Sequence, residues 1–448
     1  MAAIDTVNLY QAEFERAAHT AAEPAWFGEL RRDALARFTS LGFPTTRQEE
    51  WRFTNVAPIA EAPFEVARPA LVGPERLAEL RFSSAGIDEM VIVNGRFAPE
   101  LSTIGALPRG TIVAGSLDAR HAPLSAGDAR LLADHLGRVA VYDPQPFAAM
   151  NTAFLREVAL VFVPANVVLE RPLHVLVVGV NDAQQRRAAA YPRLLVVAGE
   201  NSQLRLVESY VQVEGAAAPE AAWLTNAVTE IVLKDGAVVD HYRIQREPRE
   251  AYHVAATSVR LGRSSSFSSH AFTFGGGLVR HDVNAVLADE GGDCTLNGLY
   301  LGDGSRLVDN HTFIDHAMPH CTSHELYKGI LGGRARAVFN GKILVRPDAQ
   351  KTDAKQTNKT LLLSDDAQIN TKPQLEIYAN DVKCTHGATV GQLSADALFY
   401  LQARGIGRDE ARRMLIRAFA SDITGRVRID AVRNALDGWL LAALEGGK

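Results

Sequence analysis

Six segments of this 448-residue chain are built on one plan. They read LVVAGENSQLRLVE, IVLKDGAVVDHYRI, VRLGRSSSFSSHAF, AVLADEGGDCTLNGLYL, GILGGRARAVFNGKILV and LLLSDDAQINTKPQLEIY. Each opens with a short apolar strand, turns through Gly, Asp or Ser, and leaves along a second, alternating strand. The anchors Leu233, Leu261, Leu287, Leu331, Leu363 and Leu393 recur roughly every 26 to 32 residues, with one longer gap before Leu331. A unit that small cannot bury its apolar face alone, so neighbouring units must stack. The repeat therefore predicts a β-solenoid. A β-sandwich uses similar strand lengths and turns, but an unbroken run with no helical insert favours the solenoid.

The flanks have a different texture. Val7, Tyr10, Phe14 and Ala17, then Trp26, Leu30, Ala34 and Phe38, recur at helical spacing on either side of Pro24, and Gly42 and Pro44 end the second helix. Arg47, Glu49, Glu50, Trp51 and Arg52 form a charged aromatic patch. It reads as a helix end packed on the next domain, with a partner-binding site as the alternative. VIVNGRF, from Val91 to Phe97, predicts a hairpin with Asn-Gly at its turn, and Ser125 to Leu136 predicts a helix. After Gly391 three helical stretches follow. One runs from Asp396 to Arg404. A second, Asp409 to Ala420, carries Met414, Leu415, Ala418 and Phe419 on one face. A third carries Val432, Leu436, Trp439, Leu440 and Leu444. These helices are expected to cap the solenoid's open end or to form a partner surface. The resulting division is a helical and mixed region over 1–153, a solenoid over 154–392 and a helical region over 393–448.

Charge and cysteine usage narrow the function. The formal net charge of −5 argues against a dedicated nucleic-acid binder. No apolar run is long enough to span a membrane. The acid-bearing start MAAIDTVNLYQAEFERAAHT does not read as a signal peptide. Three cysteines, Cys294, Cys321 and Cys384, do not make a disulfide framework and fit a reducing cytoplasm.

The densest polar chemistry lies between Lys351 and Gly391. Cys384 and His386 are two apart, so on a strand they share one face, about 6–7 Å apart at Cα. That is close enough to share a soft metal, or for the imidazole to lower the thiol's pKa. Lys383 faces the other way. The pair alone is not a zinc site, which needs four ligands.

Three other groupings are weaker. His311, Asp315, His316, His320, Cys321 and His324 supply metal-ligand types but would spread over a strand, a turn and the next strand. Gly275, Gly276 and Gly277 form a turn or close approach, since no P-loop pattern follows; any ATP-driven step would need a partner's ATPase. Lys342, Arg346, Lys351, Lys355 and Lys359, with Asn358, Asn370, Thr357 and Thr371, read as a solvated or laddered face, or as a polar path toward the Cys384–His386 pair.

DAKQTNKTLLLSDDAQINTKPQLEIYANDVKCTHGATVG resembles the core signature of the SufB/SufD family, scaffold subunits of the SUF iron–sulfur cluster assembly machine. LGFPTTRQEEWRFTN, and FYLQARGI followed by EARRMLIRAF, resemble the family's terminal motifs, so the resemblance covers most of the chain. Within the family the chain is more similar to the SufD branch. It has no cysteine before Cys294 and no CxxC, whereas the SufB branch carries extra thiols, including one that receives sulfur.

The resemblance implies a right-handed parallel β-helix flanked by helical regions. It implies pairing with SufB through solenoid edges near Cys384 and His386. His386 matches a histidine proposed as a cluster ligand, and Cys384 a neighbouring thiol. An iron–sulfur cluster would be held transiently at the shared interface. The C-terminal region from about 399 to 425, with Phe399, Tyr400, Arg404, Met414, Leu415 and Phe419, would dock the SufC ATPase. No stand-alone activity is expected. The alternatives are a purely structural partner, a homodimer through the same edge, or a polysaccharide-active β-helix enzyme. The last normally shows clustered acids or a calcium site in a secreted chain.

Overall fold

The computed structural model describes residues 3–18, 24–61, 64–82, 86–115, 126–140, 145–182, 184–213 and 222–445. Its centre is a parallel β-solenoid of two facing sheets. The chain alternates between them, so each coil adds one strand to each. The first sheet runs through Ala222–Leu233, Ala251–Leu261, Leu278–Leu287, Leu307–His316, Arg336–Val345 and Gln368–Ile377. The second runs through Gln203–Val213, Val238–Gln245, Ser266–Thr273, Asp293–Gly302, Thr322–Leu331, Asp353–Leu362 and Lys383–Gly391.

Strand alternation decides what each residue meets. In Val238–Gln245, Val239 joins the solenoid's inner cluster, whereas Tyr242 and Ile244 join the cluster outside the sheet. Leu233, Leu261 and Leu287 stack in one inner row, as the repeat predicts. The row continues as His316 and Val345, which explains the long gap. Leu331 belongs to the other sheet, in register with Gly302 and Leu362. Leu363 and Leu393 lie just past their strands and pack beside the C-terminal helices. The repeat was therefore right in kind, but its anchors mark three different places.

The lumen also holds hydrogen-bonded pairs of buried polar groups. His241 lies 3.0 Å from Glu208 and 3.0 Å from Ser269, Tyr210 donates to Glu208 at 2.7 Å, and His253 lies 2.6 Å from Glu247. Burial alone would raise both carboxyls, but the facing histidines hold them below the ordinary range.

Where the lumen is tight, glycine and tyrosine trade places. Gly298 is in register with Tyr327, and Tyr300 with Gly329. A methyl group added to either glycine would run into the facing ring. Gly329→Ala is expected to cost about 1–3 kcal/mol through overpacking. Shrinking the ring in Gly329→Ala/Tyr300→Leu should recover part of that loss in a denaturant melt.

Both sheets need cover on their outer faces. Helices Ala25–Leu41 and Pro146–Phe154 place Phe38, Met150 and Phe154 against Leu224 and Val254 of the first sheet and against Tyr191 in the link between strands Arg187–Ala190 and Arg193–Ala198. The 3-10 turn Glu49–Trp51 docks on the same side, with Trp51 in that cluster; the charged aromatic patch is a packed element. Helices Arg408–Thr424 and Asp430–Glu445 cover the second sheet. Ile416, Ile423, Val432, Leu436 and Leu440 meet Tyr242, Phe272, Leu299 and Ile330. These helices lie along a sheet face and do not cap the solenoid's end as expected, because the second sheet presents an apolar row that must be buried.

The two ends differ. At one, the second sheet finishes in Asp88–Val93 and the antiparallel strand Arg96–Phe97, joined by Asn94 and Gly95 at φ 51° and 77° as the Asn-Gly signal predicts. The first sheet finishes in the antiparallel strand Ile112–Gly115. At the other, Gln368–Ile377 and Lys383–Gly391 have no further neighbouring strand among the described residues.

Candidate functional site

The last strand, Lys383–Gly391, carries both sequence-predicted ligands. Cys384 is in register with Ala354, and His386 with Gln356. Ala354 and Gln356 are buried in the lumen, so Cys384 and His386 continue the inward-facing rows into the final coil. With no coil beyond it, His386 is exposed, and neither ring nitrogen has a hydrogen-bond partner among the described residues. Cys384 is half-buried and packs against the solenoid core. Burial pushes its thiol up, and a hydrogen bond from the Ala354 backbone only partly offsets this. The shared face is as the spacing predicts, but the thiol is not activated: the core sets its acidity, not the imidazole.

Among the described residues no three His, Cys, Asp or Glu side chains come together to hold a metal ion. Two ligand types at an open end are an incomplete set. The His311–His324 grouping disperses, as expected for strand, turn and strand. His311 faces the N-terminal turn, with Nδ1 3.3 Å from Glu50. His316 lies inside, 2.8 Å from Ser323. His320 sits in a turn at φ 60°, His324 is exposed, Asp315 pairs with Arg346, and Cys321 donates to the Asp289 carbonyl at 3.3 Å. Gly275, Gly276 and Gly277 fold closely over the Glu247–Ala251 turn, as a close backbone approach.

The lysine ladder does not form one face. Lys342 pairs with Glu376 at 2.8 Å on the first sheet, Lys355 with Asp353 at 2.9 Å on the second, and Lys351 with Asp381 at a turn.

The C-terminal helices divide the residues expected at a docking surface. Phe399, Tyr400 and Met414 are 73%, 56% and 43% exposed. Arg404 is exposed; its guanidinium lies 3.4 Å from the centre of the Tyr400 ring, and its Nη1 donates to the Tyr400 carbonyl at 3.1 Å. Leu415 is half-buried. Phe419 instead turns toward the solenoid. Its carbonyl accepts from Lys328 Nζ at 2.8 Å, and that ammonium lies 4.4 Å from the Phe419 ring centre and 2.6 Å from Asp422. The buried face of this helix is Ala411, Ile416, Ala420 and Ile423. Sequence reasoning chose the neighbouring stripe, because the helix is apolar on more than one side. It also missed Lys328, whose burial depends on a helix arriving from far along the chain.

Two family descriptions match. Residues 3–175 match the SufBD protein N-terminal region, and residues 180–419 match the SufBD core domain of SUF-system FeS cluster assembly. The chain belongs to the SufBD family. It is 33% identical over 429 residues to an iron–sulfur cluster assembly SufBD family protein of Synechocystis, covering 95% of this chain and 93% of that one. It is 28% identical over 413 residues to the iron–sulfur cluster assembly protein SufD of Escherichia coli, covering 92% of each. SufD of Bacillus subtilis is 25% identical over 422 residues, covering 92% of this chain and 93% of that one. The chain is thus a SufD-like SufBD protein. Among the described residues, no helix is long and apolar enough to cross a membrane.

Proposed function

We propose that this chain is the SufD-type subunit of a cytoplasmic SUF complex and pairs with a SufB subunit through the open solenoid end. The observation that carries this reading is that end itself. Among the described residues, two unpaired strand edges frame an exposed, unpartnered His386 beside Cys384. Unpaired edges are templates for another chain's strands. A pair of ligand types without a third or fourth suits a site that a partner completes. The nascent iron–sulfur cluster is the substrate of this interface, with His386 as this chain's ligand and Cys384 as a second. The exposed Phe399, Tyr400 and Met414 form the surface for the SufC ATPase. Through the Lys328–Phe419–Asp422 contact, movement of that helix reaches the second sheet.

The test is anaerobic co-expression with SufB and SufC, comparing wild type with His386→Ala and with the Cys384→Ser/His386→Ala double variant. A complex that assembles but is colourless and poor in iron supports the reading. A variant complex as rich in iron as wild type makes this subunit a structural scaffold. A chain that pairs only with its own copy makes the open end a homodimer face.

A further inference from the structure

His386 is the outermost member of a lumen-facing row whose next two members, one coil apart each, are Gln356 and Glu325. Both are polar, and both are sealed from solvent at 1% and 4% exposure. Gln356 Nε2 donates to Glu325 Oε2 at 2.7 Å. That bond commits the nitrogen end of the amide inward along the row. Gly341, on the facing sheet, leaves the space the amide nitrogen occupies, since a methyl group there would run into it. The oxygen end, Gln356 Oε1, is buried and has no hydrogen-bond partner among the described residues.

A buried acceptor without a donor is costly, and an ionised Glu325, which can only accept, requires the amide to present its nitrogen inward. The donor nearest in register is the imidazole of His386, one strand spacing away, about 4.8 Å. Its two nitrogens are unpartnered among the described residues.

We infer that Gln356 is a positioning residue for His386: its Oε1 accepts one imidazole N–H, and Glu325 holds the amide in the orientation that makes this possible. The inference rests on the proposed role of His386 at the open end. A histidine that binds a metal through one nitrogen generally donates its other N–H to a fixed acceptor, which sets tautomer and ring angle. Here the acceptor is an amide, and the carboxyl stands one place further in. Burial raises the Glu325 carboxyl to about 7, and in either protonation state it keeps an oxygen to accept the amide. Gln356 and Glu325 touch no substrate; they decide which nitrogen of His386 faces outward.

The test uses the full chain, selectively 15N-labelled at histidine, with the His386 signals assigned by their loss in His386→Ala. In wild type we expect a single dominant tautomer. Gln356→Leu and the near-isosteric Gln356→Met should both release the ring to the mixture of a free imidazole. In the co-expressed complex with SufB and SufC, the same variants should lower iron affinity about 10- to 100-fold without loss of assembly. Glu325→Gln, which keeps an acceptor, should stay near wild type, and Glu325→Leu should behave like Gln356→Leu. If Gln356→Met folds and leaves both tautomer and iron unchanged while His386→Ala removes the iron, the positioning role is wrong and the site stands. If His386→Ala itself keeps its iron, the site reading falls, and the positioning role falls with it.

Discussion

Glu230→Leu is expected to destabilise the protein by about 3–5 kcal/mol, the cost of stranding one member of a buried ion pair. Glu230 and Arg193 are both fully sealed, with Arg193 Nη2 2.5 Å and Nε 3.1 Å from Glu230 Oε1. The carboxylate also accepts the backbone N–H groups of Gly137, Val139 and Ala140 at 2.9, 3.0 and 3.0 Å. It thereby ties the segment after helix Ala126–His135 to the outer face of the first sheet. Arg193 reaches on to Asn151 at 3.0 Å and Thr152 at 3.2 Å, in the helix that covers that face. Leucine removes five hydrogen bonds and leaves a guanidinium without its charge partner. The midpoint of a urea melt should fall, and amide exchange at Gly137, Val139 and Ala140 should accelerate more than exchange in the solenoid strands. Arg193→Met/Glu230→Leu should recover part of the loss, because it removes the stranded charge while the three backbone N–H groups stay without their acceptor.

Docking of the Glu49–Trp51 turn should weaken as pH rises through about 9, an effect of about 3 kcal/mol at most. Burial works against a charged His311, but Asp309 at 3.0 Å and Glu50 at 3.3 Å outweigh it, and the ring is raised from 6.5 to about 9. A group whose folded value lies above its unfolded one stabilises fully below the unfolded value, here about 6.5. Its contribution fades between there and about 9 and is gone above. The neighbouring carboxyls act at the other limb. Glu50 and Asp309 are held below their ordinary range, so their contributions are lost on acidification. Arg280 stays charged throughout. It binds Asp282 at 2.8 Å, Asp309 at 2.9 Å and the Glu50 carbonyl at 2.7 Å, and lies 3.7 Å from the Trp51 ring centre. Wild type monitored by Trp51 fluorescence between pH 7 and 10 should lose its docked signal with rising pH. His311→Gln should already be weakened at pH 7 and show little further change. A wild-type profile flat across that range would remove His311 from the account.

The sequence made the solenoid legible because its period is a matter of burial. Each unit repeats an apolar strand and a turn, whatever the exact coil length. The pairing of Cys384 with His386 on one face was legible from alternation alone. The row behind His386 was not, because the register between coils depends on turn lengths that vary. Only pairing Gln356 with both His386 and Glu325 shows the three in line. The turn around Trp51 was recognised as a packed patch, but not its buried partners Arg280 and Asp309, which come from strands far along the chain. The buried face of helix Arg408–Thr424 was misjudged for a related reason: apolar side chains lie on two of its sides, and only the sheet it meets selects Ile416 and Ile423 over Met414.

The asymmetry between the solenoid's two ends has a stoichiometric consequence. A strand stack with two live edges would behave as a bifunctional monomer and grow without limit. Among the described residues, one terminus finishes in antiparallel strands of two and four residues, which offer a short edge, whereas the other ends in parallel strands of ten and nine. Under the proposed pairing, joining through that end would be a termination step: two chains would meet, the edges would be consumed, and the assembly would stop at a pair.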